Sequence, residues 1–400
     1  MTCRICGDKT MKVLDLGETA LANELLETKG GAYDEYPLCL CFCQSCKNLQ
    51  LDHFVDPEVL YKNYMYSTPY SEILSSHYQF LTNFMSDSGY LCDSSKVVEV
   101  GSNAGQFLEV LSKKARLAIG VEPATNIVEK IRNVELKVVN NFFKVQVAQQ
   151  LKKDNGLFDL VLARHCFAHN PNPDEMIRSA SEILSDDGVM IIENAYAINT
   201  LMNGEFDQIY HEHMYYYSLT SIANLYKKFG FQLIDATLGD VHGGSIIAVL
   251  AREGKKEKSK ALQAMQQIED LALNTEFILE FASRSEKNKS NLAKLIWSLT
   301  ASGHTIYTYG ATAKGNTLLN SMGVNASAVK FCIDNTPAKI GKYLPGSEIL
   351  IQSEDFGRDN PPDYYFLTAW NYKSEIIKKV RETGNYKTRF IVPFPNVHIV

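Results

Sequence analysis

The sequence predicts a multidomain α/β protein in which a small cysteine-rich unit precedes a doubly wound sheet and a smaller second unit of the same Rossmann-like kind. Three observations predict it. Strand-like apolar runs alternate with helical stretches twice along the chain, and six of the nine cysteines fall within the first 46 residues. The 400 residues also exceed what one core holds, since single cores stop growing at roughly 250 to 300 residues.

Residues 1–58 form the cysteine-rich unit. Cys3-x-x-Cys6 and Cys43-x-x-Cys46 are two CxxC knuckles. Each lets a tight turn aim two thiolates at one ion, and together they complete the tetrahedron that structural Zn²⁺ favours. The run LCLCFCQSC alternates as a strand does and puts Cys39, Cys41 and Cys43 on one face, so Cys39 or Cys41 could stand in for Cys43. Only Cys43 makes a CxxC with Cys46. Four thiolates leave no open coordination position, so the expected role is structural. The N-terminus MTCRICGDKT is too polar for a signal peptide, which favours metal over disulfides and a cytoplasmic protein.

Residues 59–254 carry the runs KVVEVG, LAIGVEP, FDLVLARH, GVMIIENAY and SIIAVLAREG, the last expected as an antiparallel edge strand. Residues 255–290 are polar with a helical pattern and read as a linker helix. Residues 291–400 repeat the alternation through LAKLIWSLTASGH, TIYTYGA, VKFCIDN, YYFLTAWNY and RFIVPFP. A formal charge of -6 with scattered basic residues makes nucleic acid and anionic membrane poor partners. No apolar run approaches the ~20 residues needed to cross a bilayer.

The stretch VVEVGSNAGQFLEVL sets a strand before a glycine turn that opens a helix. Its Glu99, Gly101, Asn103 and Gly105 form an E-x-G-x-x-x-G order without the GK[ST] of a P-loop. Glu122 ends the next strand, where a carboxylate can hold the hydroxyls of a ribose, and Arg164 and His165 follow at the expected carboxyl edge of the sheet. That order resembles the S-adenosylmethionine (SAM) loop of class I methyltransferases.

FDQIYHEHMYYYS, from Phe206 to Ser218, gathers two histidines, a glutamate and four tyrosines. On a strand, His211 and His213 would share one face with Glu212 on the other. Such a segment can be a metal site, a buried wall or a base centre. A metal needs further ligands that are not evident nearby, whereas histidine beside a carboxylate suits acid/base work near neutrality.

Taken with CRICG, VLDLGETALAN, CKNLQL, HGGS at 242–245 and YGATAKGNTLL at 309–319, these fragments resemble the SAM-dependent sugar C-methyltransferases, along nearly the whole chain. The resemblance implies a class I SAM-methyltransferase sheet flanked by an N-terminal zinc-binding domain and a C-terminal Rossmann-like domain, with SAM and structural Zn²⁺ as cofactors. It implies methylation of C3 or C5 beside the ketone of a nucleotide-linked, dTDP-linked, 4-keto deoxysugar, by a monomer or small homo-oligomer. The implied base is His213, with Tyr210 and Glu212 placing the sugar or steadying an enolate. His169 matches the second active-site histidine, and Tyr64 or Tyr66 a tyrosine of the site. His242, Tyr309, Lys314 and Asn316, with Asp334, Lys339 and Lys342 beyond the next strand, are the expected contacts to the nucleotide sugar. Two other functions fit the same motifs: a methyltransferase acting on oxygen or nitrogen, and a zinc-containing scaffold.

Overall fold

The computed structural model describes residues 1–61, 68, 71–131, 133 and 135–400, with the backbone alone at Tyr61 and His242. Tyr64 and Tyr66 lie outside the described residues. The first of three sheets is antiparallel and orders β1 (Met11–Ala20), β2 (Glu35–Phe42) and β3 (Leu49–Leu51). Its free edge at β3 is closed by Tyr215–Tyr216, a two-residue strand lent by the middle of the chain.

The middle sheet comprises β4 (Lys96–Val100), β5 (Leu117–Val121), β6 (Lys137–Val139), β7 (Phe158–Arg164), β8 (Leu184–Ala195), β10 (Phe231–Gly239) and β11 (Ser245–Arg252), β9 being the lent strand Tyr215–Tyr216. Their order is β10-β11-β8-β7-β4-β5-β6. The chain leaves β4 toward β5 and β6, then returns to the other side through β7. This is the class I SAM-methyltransferase arrangement, and it opens a crevice at the carboxyl ends of β4 and β7 where the topology switches. SIIAVLAREG is antiparallel but is not the edge. β10 forms a hairpin with β11 and covers its outer side, and β11 is accordingly buried almost throughout.

The third sheet orders β14 (Leu350–Gln352), β13 (Phe331–Ile333), β12 (Ile306–Tyr309), β15 (Tyr364–Leu367), β16 (Arg389–Val392) and β17 (His398–Ile399), parallel except for β17. Among the described residues no helix is long and apolar enough to cross a membrane.

Between the second and third sheets run the helices Lys260–Ala272 and Thr275–Ala301, the latter continuing past the expected boundary at 290. Their polar composition hides an apolar stripe in which Leu262, Ile278, Phe281, Leu292 and Ile296 are fully buried. Arg284 donates to the carbonyls of Leu201 and Met202, which docks the long helix on the middle domain. Glu269 is fully buried and accepts from the amides of Leu219 and Thr220 at 2.8 and 2.6 Å and from the Tyr196 hydroxyl at 2.9 Å. It thus satisfies two free N–H groups at the start of the helix Leu219–Lys227. Removing that acceptor strands three buried donors. Glu269→Ala is expected to lower stability by about 3 kcal/mol, measured as a drop in thermal midpoint, with zinc content unchanged.

Candidate active site

At the cofactor edge, Gly101 has φ 70° and a Cβ there would lie 2.8 Å from Cys166 Cβ, so both the backbone and the space demand glycine. Glu122, at the end of β5, accepts from the amides of Asn103 at 2.8 Å and Ala124 at 2.9 Å. These bonds tie the glycine turn to the next strand through both carboxylate oxygens. Glu99 Oε2 and Ser102 Oγ are buried with no hydrogen-bond partner among the described residues. Burial pushes Glu99 up to about 8, even with Arg164 nearby. Orphaned acceptors beside a glycine turn fit the ammonium and hydroxyl groups of SAM, which Glu99, Ser102 and Glu122 would hold.

Arg164 is packed among protein groups. Its guanidinium lies over the rings of Tyr78 and Phe107, at 4.8 and 4.4 Å, and reaches Glu99 at 3.6 Å and Glu193 at 3.1 Å. Glu193 is the hub of this cluster. It also meets His77 at 2.7 Å, Ser245 at 2.8 Å and His165 at 3.5 Å. Burial alone would raise its pKa, but His165, His77 and Arg164 together hold it well below the usual carboxylate range. His165 sits at φ 49°, its N–H held by the Glu193 carbonyl at 2.7 Å.

The expected His-x-His strand is a turn. A 3₁₀ turn at Phe206–Gln208 and a tight turn closed by His213 N–H to the Tyr210 carbonyl occupy the segment. Extended backbone resumes only at Tyr215, where Gln50 offers an edge to pair with. The two histidines therefore diverge. His211 points to the Tyr36 carbonyl at 3.2 Å, in the first domain. His213 Nδ1 lies 3.0 Å from the Gln208 carbonyl and Nε2 lies 2.6 Å from the Tyr210 hydroxyl. A carbonyl can only accept, so Nδ1 carries the hydrogen and Nε2 is left with its lone pair, accepting from Tyr210.

Burial pushes the His213 pKa well down, and His169 and Lys314 push it the same way. The ring is thus neutral near pH 7. His169 stands 5.1 Å away, ring to ring, and burial lowers it to about 4. Glu212 is buried, is raised to about 7 by desolvation, and accepts from Asn23 Nδ2 of the first domain at 2.5 Å.

From the third domain, Lys314 reaches the same seam. Its ammonium lies 5.4 Å from the Trp370 ring, and the Asn371 amide oxygen accepts from it at 3.1 Å and from the Gly243 N–H at 3.3 Å. Burial lowers the Lys314 pKa while Asp207 and Glu205 oppose that. Trp370 Nε1 donates to Asp207 Oδ2 at 2.7 Å. The HGGS loop packs here too, since a Cβ at Gly243 would lie 2.7 Å from Glu205 Oε2; the His242 side chain lies outside the description.

The other expected substrate contacts are engaged within the protein. Tyr309 donates to Glu354 at 2.8 Å, and Asp334 accepts from the amides of Ala311 and Thr336 at 2.7 and 2.8 Å. Lys339 donates to the Ala311 carbonyl, and Lys342 pairs with Glu27 of the first domain at 2.6 Å. Asn316 is buried with both amide atoms unpartnered among the described residues. Asn23, Glu193, Glu205, Asp207 and Trp370 were not singled out by motif, although Asp207 lies inside FDQIYHEH.

Away from this seam, Cys3, Cys6, Cys43 and Cys46 bring their Sγ atoms within 4.8 Å of one another. The pairs Cys3–Cys46 and Cys6–Cys43 stand at 3.5 Å each. Zn–S bonds of about 2.3 Å give a tetrahedral S–S edge of about 3.8 Å, so the set fits Zn²⁺ with small relaxation. Cys39 and Cys41 are not part of the cluster.

Glu205, Asp207 and Glu212 share one electrostatic consequence. Burial raises them to about 7, about 6 and about 7. Between their unfolded values and these folded ones, the native state binds more protons than the unfolded chain, so stability falls as pH rises. The slope is at most about 1.4 kcal/mol per pH unit for each group. Their share of the stability should therefore fall from pH 5 to 7.5, against the opposite trend of the buried histidines, and the thermal midpoint of Glu205→Gln should fall less, or rise more, than the wild type's over that range.

Three family models match consecutive parts of the chain: "Putative zinc binding domain" over residues 3–61, "Methyltransferase domain" over 71–236 and "C-methyltransferase C-terminal domain" over 240–395. "C-methyltransferase NovU" of Streptomyces niveus is 34% identical over 404 residues, covering 100% of this chain and 96% of its own. "Ubiquinone biosynthesis O-methyltransferase" of Coxiella burnetii (strain Dugway 5J108-111) is 24% identical over 157 residues, 35% of this chain and 65% of its own. In solved structures, the N-methyltransferase NodS from Bradyrhizobium japonicum WM9 aligns with a TM-score of 0.34 at 14% identity, over 45% of this chain and 95% of its own. With a relative matched end to end and all three domains matched in order, the chain belongs to the family of SAM-dependent C-methyltransferases.

Proposed function

We propose that this C-methyltransferase methylates the carbon beside the ketone of a dTDP-linked 4-keto deoxysugar, through an enolate made by His213. The observation that carries the reading is the fixed tautomer of His213: Nδ1–H on the Gln208 carbonyl and a lone pair at Nε2. Methyl transfer to carbon needs a carbon nucleophile, and a ketone acidifies the hydrogen on its neighbouring carbon. A neutral imidazole whose lone pair is released when Tyr210 turns to the substrate is the group that removes it.

SAM, when bound, supplies the electrophilic methyl group. The residues of the chain prepare the acceptor. His213 Nε2 takes the proton from carbon while the C–H electron pair moves into the enolate. Tyr210, already bonded to Nε2 at 2.6 Å, is placed to turn its hydroxyl to the substrate oxygen as the base engages. Lys314, from the third domain, reaches the same seam through Trp370 and Asn371 and is proposed to face the substrate's oxygens. Asp207 and Glu205 oppose the effect of its burial. Asn316, buried with an unpartnered amide, remains for the nucleotide portion.

The test has two stages. Calorimetric titration should detect SAM binding to the purified chain. A 4-keto deoxysugar nucleotide in deuterated water should then exchange the hydrogen on the carbon beside its ketone. His213→Ala is expected to cut exchange and methylation by roughly 10² to 10⁴-fold with SAM affinity retained. Full methylation by this variant would rule out His213 as the base and favour an oxygen or nitrogen acceptor.

A further inference from the structure

Glu212, the residue before His213, is buried, and its bonded partner comes from another domain. Asn23 Nδ2 donates to Glu212 Oε1 at 2.5 Å across 189 residues of sequence. Asn23 follows β1 on a short segment fastened at both sides. Leu21 and Ala22 are buried before it. Beyond it, Leu26 exchanges backbone hydrogen bonds with Tyr343 at 2.9 and 2.8 Å, and Glu27 pairs with Lys342. The segment therefore touches the middle and third domains together.

The rest of the HEH turn leans on the same domain. His211 meets the Tyr36 carbonyl of β2 at 3.2 Å, the Leu51 amide donates to the Met214 carbonyl at 3.0 Å, and Tyr215–Tyr216 pairs with β3. A domain that only held zinc would not need a polar side chain directed at a buried carboxylate next to the base.

We propose that Asn23 is a positioning residue of the methyltransferase site: its amide, carried by the zinc-binding domain, holds the Glu212 carboxylate in one orientation against the turn that bears His213. The inference rests on the enolate reading for its effect on the reaction, but not for the Asn23–Glu212 coupling itself. Desolvation favours the neutral acid at Glu212, and the Asn23 amide opposes it by donating to the ionised form. Losing that donor raises the pH at which Glu212 ionises and frees its side chain to turn.

The test uses the full-length, zinc-loaded protein with Asn23→Ala and the near-isosteric Asn23→Asp. Glu212 ionisation is followed by carbon NMR of ¹³C-labelled glutamate, its signal assigned with Glu212→Gln. Solvent exchange of a 4-keto deoxysugar nucleotide is followed against pH. Both variants are expected to keep one zinc per chain and wild-type SAM affinity. In both, Glu212 should titrate at higher pH, exchange should fall on the order of tenfold, and the acid limb of its pH profile should move upward. Asn23→Ala in a Glu212→Gln background should cause no further loss. An unmoved Glu212 titration, or loss of zinc or SAM binding in both variants, overturns the proposal. A moved titration in a protein whose wild type catalyses no exchange upholds the coupling and rejects the enolate reading. Wild-type exchange that both variants retain in full rejects the role of Asn23 alone.

Discussion

The Gln208 carbonyl organises the site. It accepts from His213 Nδ1 at 3.0 Å and from the Tyr216 hydroxyl at 3.1 Å. One acceptor thereby fixes a histidine tautomer and anchors Tyr216 of the lent strand. Everything that makes Nε2 of His213 a lone-pair acceptor follows from that carbonyl's position, which depends on the 3₁₀ turn Phe206–Gln208. The turn is held in its own place by packing of the helix Ala313–Ser321 against it and by the Trp370–Asp207 bond, both from the third domain. His213, in the middle domain, is thus oriented by contacts from the first domain and the third.

Burying this much charge is tolerated because the groups are sorted by partner. Glu193, with three cationic or cation-capable neighbours, stays ionised, whereas Glu99, Glu205 and Glu212 have fewer and are pushed toward their neutral forms. Glu99 belongs with the Arg164–Glu193 cluster beneath the cofactor edge, and Glu205 and Glu212 belong to the seam between domains.

The sequence made legible what local pattern encodes. The CxxC pairs, the glycine turn after β4, Glu122 at the end of β5 and the FDLVLARH strand all stand where spacing and periodicity put them. The misses share one cause, which is contact over long separations. Asn23 meets Glu212 across 189 residues and Asp207 meets Trp370 across 163, and no period-2 or period-3.6 signal reports such a pairing. Arg164 illustrates the converse. Its position in the chain suggested a cofactor contact, but two aromatic rings and two carboxylates draw it inward. HEHMYYYS alternates well enough to suggest a strand, yet a strand needs an edge to pair with, and only Tyr215 and Tyr216 find one.

That edge gives the zinc site a role beyond its own domain. The thiolate pairs are crossed, Cys3 with Cys46 and Cys6 with Cys43, so an ion there clamps the N-terminal knuckle onto the connection between β2 and β3. The clamp sets where β3 begins, since the Cys43 amide donates to the Asn48 carbonyl at 2.8 Å and Leu49 follows directly. β3 pairs with Tyr215–Tyr216, and Tyr216 reaches the Gln208 carbonyl that fixes His213. Four contacts in series therefore join the four-cysteine site to the His213 ring. An unfastened knuckle would loosen the strand pair first and the histidine tautomer with it, while the glycine turn and Glu122, which belong to the middle sheet, would keep their geometry.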